Sequence, residues 1–483
     1  QTSTTHHIRK VEFIGTLQDI TNTSSFPTVA PFGYQNFTGL AVKSIQAKGQ
    51  GVNIYMESPS SGYIKAWVDW NKDGDFLDAG ETVYDAGGVA QASTTLGFIV
   101  PTGIAADDYR VRLRISGRNI SGSDAGFAWN ACTTNLAYYG ETEDYILRVI
   151  ENCPANISTI TNGSTCGPGT VTLATTGTAG TTQFRWYANQ TGGTPLATTA
   201  TGSWTTPSIS ATTVYWVTAF NGSCESLVRT KITAFVKPVP TLSFATSNTE
   251  VCGENSIVAL TASGDNEIIY LLDENFESGT LGTFSNVHYV NNAAVNAQTA
   301  WQIHTSPYVP TGLTWYPAIA SGFGANNFAF VSSDIGQAPA PPGSYYTVEN
   351  GLVSNTVNST GFLNLTFNFR IYFDRYYPDG MNPANELMTV GVSTNGGTTW
   401  TNISGNISND IGYGTRFTDY SYDLSAYINQ PNLRVRIRYY TNTWANGAAV
   451  DDIQLFGLKP LNTALQWSGT PLPDVFTDAA TTI

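Results

Sequence analysis

The residues best placed to do chemistry sit together in Asp69-Trp70-Asn71-Lys72-Asp73-Gly74-Asp75-Phe76-Leu77-Asp78-Ala79-Gly80-Glu81. Oxygen donors recur at every second position from Asp69 through Asn71 and Asp73 to Asp75. Gly74 lets the chain turn, and Asp78 and Glu81 follow. Calcium takes roughly six to eight oxygens at about 2.3–2.6 Å, so this spacing predicts a loop curled round one divalent ion. Carboxylates held this close repel one another without a cation. The twelve-residue calcium loop closes on a carboxylate at position 12. Counting from Asp69, that position is Gly80 and Glu81 comes one later, which leaves the last ligand open. The competing reading is a solvated acidic loop held by Asx turns.

Catalytic constellations are missing from the sequence. Its histidines are His6, His7, His288 and His304, and no HExxH, GxSxG or P-loop motif occurs. Acids are plentiful enough for the opposed pair that glycoside hydrolysis needs, but nothing marks such a pair. The chain reads as non-catalytic.

The elements that must position the acids are strands. Ile64 to Trp70, Tyr109 to Ile115 and Leu433 to Tyr439 alternate apolar and polar residues, the pattern of half-solvated antiparallel strands. Turn clusters such as Asn162-Gly163-Ser164, Gly192-Gly193 and Asn395-Gly396-Gly397 interrupt at short intervals. The expectation is an all-β chain of tandem β-sandwich domains, with one domain over 1–150 and another over 151–238. A third occupies 265–458, and 239–264 with 459–483 belong together. Lys237-Pro238-Val239-Pro240 reads as a stiff linker.

Composition narrows the partners. Acidic residues exceed basic ones by 36 − 22, a net charge of −14 over 483 residues. Nucleic acid and anionic lipid are repelled by such a surface, whereas calcium is not. Apolar runs such as Ile268 to Leu272 are too short to span a bilayer, so no membrane insertion is expected. Gln1-Thr2-Ser3-Thr4-Thr5 has no signal-peptide character, and the expectation is a processed chain or a piece of a longer one. Five cysteines without a CxxC pair disfavour structural zinc.

Cys166 and Cys224 bracket Phe184-Arg185-Trp186-Tyr187, the arrangement of an immunoglobulin-like sandwich. They are expected to form a disulfide; the alternative leaves both reduced and buried. Cys132 and Cys153 then remain, to pair across the domain junction or leave one free.

Residues 8–150 resemble the GEVED domain, through the segment Trp67 to Glu81, the strand from Tyr109 to Arg114, and Gly140-Glu141-Thr142-Glu143-Asp144-Tyr145, where Thr142 replaces the Val of the name. The resemblance implies a β-sandwich module of exported bacterial surface proteins without a catalytic role. Glu141, Glu143 and Asp144 either add ion ligands or cap the sheet.

Gly192-Gly193-Thr194-Pro195-Leu196 through Val214-Tyr215-Trp216-Val217 resembles the Ig-like repeats of proteins exported by the type IX secretion route. Cys252-Gly253-Glu254 repeats the Cys166-Gly167-Pro168 opening, and Leu465-Gln466-Trp467 resembles the Trp strand that would complete it. The 265–458 domain is therefore expected as an insertion in a second, incomplete Ig-like domain. The alternative is a plain string of domains with a disordered tail.

The ends of 265–458, Asp273-Glu274-Asn275-Phe276-Glu277 and Val450-Asp451-Asp452-Ile453, resemble MAM-like and cleaved-adhesin jelly-rolls. The resemblance implies adjacent first and last strands, with a structural calcium held by Glu274, Glu277, Asp451 or Asp452, and Asp334. Solvent-facing acids at strand ends are the alternative. Trp301, Trp315, Tyr316, Tyr345, Tyr346, Tyr372, Tyr376, Tyr377 and Trp444 are candidates for a sugar-stacking face, although most aromatics in a sandwich are core.

Together these readings imply a non-catalytic segment of a large extracellular or cell-surface adhesin, stabilised by calcium and a disulfide. Its expected partners are a surface polysaccharide or another cell-surface or secretion protein. The alternatives are an accessory carbohydrate-binding region of a secreted hydrolase, or a structural spacer.

Overall fold

Period-two burial sets the architecture. In the strand Gly51–Val68, Val52, Ile54 and Met56 and then Ile64, Ala66 and Val68 enter one core. The first half of this strand pairs antiparallel with Lys10–Ile14 and Gln91–Ile99, and the second half with Asp108–Ser116 and Thr82–Asp85. Its register breaks between Glu57 and Gly62, and there the strand passes from one layer of a sandwich to the other. A Cβ at Gly62 would lie 2.7 Å from Ile115 Cγ1 and 2.9 Å from the Ser116 carbonyl oxygen, so the crossing requires glycine. Val111, Leu113 and Ile115, with Tyr145, Leu147 and Val149 from Gly140–Ile150, fill the core between the layers.

These relations come from a computed structural model, which describes residues 6–27, 33–85, 90–117, 131, 140–189, 193–227, 229–237, 243–246, 260–263, 266–290, 295–310, 318–321, 327–337, 346–375, 385–412, 417–442 and 445–460. The chain is all-β, in tandem sandwiches. Among the described residues no helix is long and apolar enough to cross a membrane.

The second sandwich packs a three-stranded sheet against a five-stranded one. Trp186, on Gln183–Tyr187, is fully buried, stacks on Trp204 with ring centroids 5.4 Å apart, and donates its indole N–H to Thr199 Oγ1 at 3.1 Å. The buried Trp is where the Ig-like pattern put it; the expected disulfide is not. Cys224 pairs with Cys153, at a Cα–Cα distance of 5.7 Å, and Cys166 is a free, exposed thiol. Topology is the reason. Gly163–Cys166 runs parallel to Thr230–Lys237 with Cys166 beside Lys237, the far end of that strand. Cys224 lies in the turn leading into its near end, just after Thr213–Phe220. Eight strand residues span roughly 23 Å, far beyond disulfide reach. The bond also removes any pairing of Cys153 with Cys132, which lies outside the described residues. Cys153, Ala155 and Ala219 are buried together around the bond.

The third sandwich joins a six-stranded and a five-stranded sheet. Its first strand, Asn266–Glu274, pairs antiparallel with its last, Gly447–Pro460, so the two ends meet as the jelly-roll resemblance implies. Phe276, Trp301, Phe367, Phe369, Ile437 and Tyr439 are among the side chains buried between the sheets. Between the second and third sandwiches, Ser243–Thr246 and Leu260–Ser263 form an antiparallel pair. Cys252 and Trp467, on which the insertion reading stands, lie outside the described residues.

The first and third sandwiches touch through a paired amide. Asn53, fully buried, donates from Nδ2 to the Ala318 carbonyl at 2.9 Å and accepts the Ala318 N–H on Oδ1 at 2.8 Å.

Candidate functional site

The acidic loop grows from the end of Gly51–Val68 and is held from both sides. The Val68 N–H donates to the Glu81 carbonyl at 2.8 Å and the Asp69 N–H to the Arg110 carbonyl at 3.0 Å. Trp67 points away from the main core and is buried with Phe76 and Ala131, so the apolar residue in the middle of the loop plugs onto the strand that launches it. Arg112 places its guanidinium carbon 4.7 Å from the Phe76 ring centroid.

Within the loop, three successive Asx turns set the spacing. Asn71 Oδ1 accepts the Asp73 N–H at 3.0 Å, Asp73 Oδ1 the Asp75 N–H at 3.0 Å, and Asp75 Oδ1 the Leu77 N–H at 2.8 Å. Each turn uses one side-chain oxygen, so each aspartate has its second carboxylate oxygen outside the turn. Lys72, Gly74 and Gly80 take positive φ of 65°, 95° and 91°, the left-handed conformation that lets the chain coil. Asp73, Asp75 and Asp78 can then bring one oxygen each within 4.8 Å of one another. The Asn71 amide nitrogen bridges two of them, at 3.0 Å from Asp73 Oδ2 and 2.6 Å from Asp78 Oδ2. The N–H of Asp75 holds the Asp73 carboxyl below its ordinary range.

Asp69 and Glu81, at the two ends of the loop, are buried. Glu81, 1% exposed, accepts the Trp70 N–H on Oε1 and the Asp78 N–H on Oε2, at 3.0 and 3.2 Å. Burial raises its pKa. It pins the loop's two ends and has both oxygens engaged. Asp69 is 6% exposed; Oδ2 accepts the Gly74 N–H at 3.2 Å, while Oδ1 is buried without a hydrogen-bond partner. A buried unpartnered carboxylate oxygen is costly. An all-oxygen donor set with one orphaned oxygen fits a hard divalent cation. Of the expected ligands, the structure groups Asp73, Asp75 and Asp78, sets Asp69 and Asn71 beside them, and gives Glu81 to the backbone.

The acids of the 140–145 motif resolve as sheet caps. Glu141 accepts the Ile8 N–H at 2.8 Å and Gln35 Nε2 at 2.7 Å; Glu143 accepts the Ser24 and Tyr145 hydroxyls, both at 2.7 Å. Burial pushes Glu143 up to about 8. Asp144 takes both forks of Arg112 at 2.7 Å and the Tyr34 hydroxyl at 3.0 Å. A Cβ at Gly140 would sit 2.2 Å from the Ile115 carbonyl oxygen, so glycine is required there too. The motif ties three earlier segments to one strand, and through Arg112 and Phe76 it reaches the acidic loop. Sequence reasoning did not single out Arg112; its place opposite Asp144 comes from the strand register, which the fold sets.

The acids of the second expected ion site have protein partners of several kinds. Glu274 is spent on its own loop, accepting the N–H groups of Phe276 and Thr283 at 3.0 and 2.9 Å. Glu277 accepts the Asn327 N–H at 2.9 Å. Asp451 is buried, and burial raises its pKa well above the usual range. Asp452 pairs with Arg370 at 3.3 Å. Asp334 is buried at the start of a short helical turn. Among the described residues these five form no three-carboxylate group of the kind seen at Asp73, Asp75 and Asp78. Trp301 and Tyr372, offered as sugar-facing rings, are 3% and 2% exposed and belong to cores. Trp315, Tyr316, Tyr345, Tyr376, Tyr377 and Trp444 lie outside the described residues.

Comparison with known proteins places two modules. No curated protein matches the chain. Among solved structures, a cleaved adhesin domain of Lys-gingipain from Porphyromonas gingivalis is similar over 38% of this chain and 96% of its own, at 14% identity and a TM-score of 0.24. A carbohydrate-binding module in complex with β-1,4-galactotriose covers 38% of this chain and 94% of its own, at 9% identity and a TM-score of 0.24. The xylan-binding domain of Paenibacillus barcinonensis Xyn10C covers 40% and 95%, at 12% identity and a TM-score of 0.22. Residues 154–238 match the Ig-like domain described as CHU_C associated, and residues 63–148, which hold both the acidic loop and the 140–145 motif, match the GEVED domain.

Proposed function

We propose that this chain is a non-catalytic, calcium-stabilised segment of a large extracellular adhesin, exported by the type IX route and presented at the cell surface. There it attaches to a surface polysaccharide or to another surface protein. The domain limits proposed are those of the sequence reading, with 265–458 as a MAM-like jelly-roll. The GEVED and CHU_C-associated modules support the adhesin reading. The observation that carries the calcium reading is the buried, unpartnered Asp69 Oδ1 in the loop where Asp73, Asp75 and Asp78 converge. Asp69 and the triad hold the ion, and the ion's charge removes their mutual repulsion, locking the loop onto Trp67.

The magnitude follows from mass action. For an extracellular site with a Kd of about 10⁻⁴ M, ~2 mM calcium stabilises the folded module by about 1.8 kcal/mol. Thermal unfolding of the full chain with calcium and with a chelator tests this. A transition that rises with calcium, and loses that response in the Asp73→Asn/Asp75→Asn variant, is the expected result. Identical melting curves, together with no calcium heat in titration calorimetry, would refute it.

A further inference from the structure

The outer face of the five-stranded sheet of the third sandwich carries a different chemistry. Along Arg434–Thr441 burial alternates, with Val435, Ile437 and Tyr439 in the core and Arg434, Arg436, Arg438 and Tyr440 facing out. Arg436 lies across from Val353 on one neighbouring strand and Gly391 on the other. Its guanidinium carbon is 5.0 Å from the Tyr289 ring centroid and 4.5 Å from that of Trp400. Two glycines make room: a Cβ at Gly351 would meet Tyr289 Cε2 at 2.9 Å, and one at Gly391 would meet Arg436 Nε at 3.0 Å. Tyr289 is 37% exposed.

The charge on this row is unbalanced. Arg438 is neutralised by Glu349 at 2.8 Å. Arg434 donates from Nε to the Thr356 hydroxyl at 2.8 Å. Among the described residues neither Arg434 nor Arg436 has a carboxylate partner, and Arg436 Nε is a buried donor with nothing to bind. In a chain of net charge −14, two uncompensated guanidinium groups about 7 Å apart on one strand, flanked by flat rings, form a local exception. Screening over roughly 8 Å at physiological salt lets that local charge outweigh the global one.

We propose that this face binds an acidic polysaccharide. Arg434 and Arg436 take the carboxylate or sulfate groups of successive sugars, and the rings of Tyr289 and Trp400 hold the Arg436 guanidinium flat and present apolar surface to the sugar rings. The proposal rests on the surface-attachment reading and names its ligand class.

The test is binding of the full chain to oligogalacturonides, to their fully methyl-esterified forms, to dextran sulfate and to neutral dextran, with polyglutamate and single-stranded DNA as other polyanions. Binding of the oligogalacturonides or dextran sulfate that falls with salt is expected. It should weaken about tenfold or more in Arg436→Gln and in Arg434→Gln, and also in Trp400→Ala, with the third sandwich's melting unchanged in at least one variant. Uronate binding assigns carboxylate as the group read, and dextran sulfate alone assigns sulfate. Equal binding of the methyl esters, equal binding of polyglutamate or DNA, or unchanged affinity in both arginine variants would overturn the site. Binding of neutral dextran alone would overturn this site and leave surface attachment standing, while binding of none of these polymers would remove both.

Discussion

Glu143 gives the sharpest handle on the first sandwich. It is buried, its partners are the hydroxyls of Ser24 and Tyr145, and burial raises its pKa from 4.5 to about 8. Between those values the folded chain keeps a proton that the unfolded chain has lost. The stability this group contributes is therefore complete below pH 4.5 and declines as pH climbs to about 8. At about 1.4 kcal/mol per pH unit, 8 − 4.5 = 3.5 units sets a ceiling of about 5 kcal/mol. Glu143→Gln stays neutral throughout and keeps an oxygen for one hydroxyl, so its stability should be flat where the parent's slopes. The two should nearly coincide at pH 5, and the variant should be the more stable at pH 8. Hydrogen exchange of peptides covering Gly140–Ile150, read across pH 5–8 after correction for the intrinsic rate, isolates this sandwich from the others. Parallel pH profiles in parent and variant would show that Glu143 is not held protonated, and the buried-cap account of the motif would fail with it.

Other consequences can be checked directly. Opening the Cys153–Cys224 bond by Cys224→Ser should cost the second sandwich about 4 kcal/mol in the chain-entropy model, given the 71-residue separation, whereas Cys166→Ser should change stability little. Non-reducing peptide mapping that joins Cys166 to Cys224 would contradict the assignment. Asn53→Ala strips partners from the buried Ala318 N–H and carbonyl, at about 1–3 kcal/mol for each group left unsatisfied. A loss below ~0.5 kcal/mol in urea unfolding would mean that the two sandwiches do not make this contact in solution.

Much of the architecture was legible because strand periodicity is local. The alternations at 64–70, 109–115 and 433–439 each predict a strand whose inward residues can be read off directly, and Ile64, Val111 and Val435 are fully or almost fully buried. Trp186 was legible from the Ig-like pattern of a Trp strand between two cysteines. The cysteine pairing was not, because which ends of which strands meet is a property of topology. Cys166 and Cys224 bracket the right Trp and still lie at opposite ends of one sheet. In the acidic loop, spacing located the triad but could not divide the labour: Glu81 has the same chemistry as Asp78, yet its two oxygens are taken by the N–H groups of Trp70 and Asp78. The acids at the ends of the third sandwich illustrate the same limit. Glu274 serves the backbone of its own loop and Asp452 an arginine, and no sequence pattern distinguishes those fates from ligation.

What separates a ligating carboxylate from a structural one here is the supply of nearby donors. Each acid of the 140–145 motif is buried and meets at least two protein donors; Arg112 answers the charge of Asp144, while burial raises Glu141 and Glu143 toward the neutral form, which needs no ion. Asp69, Asp73 and Asp75 each meet one backbone N–H, the Asn71 amide bridges Asp73 and Asp78, and the triad's carboxylates still converge within 4.8 Å, where a cation would lower their repulsion. The two groups are mechanically continuous through Asp144, Arg112, Phe76 and Trp67. Under the calcium proposal, a cation in the loop would act through Phe76 on the same strand pair that the motif clamps.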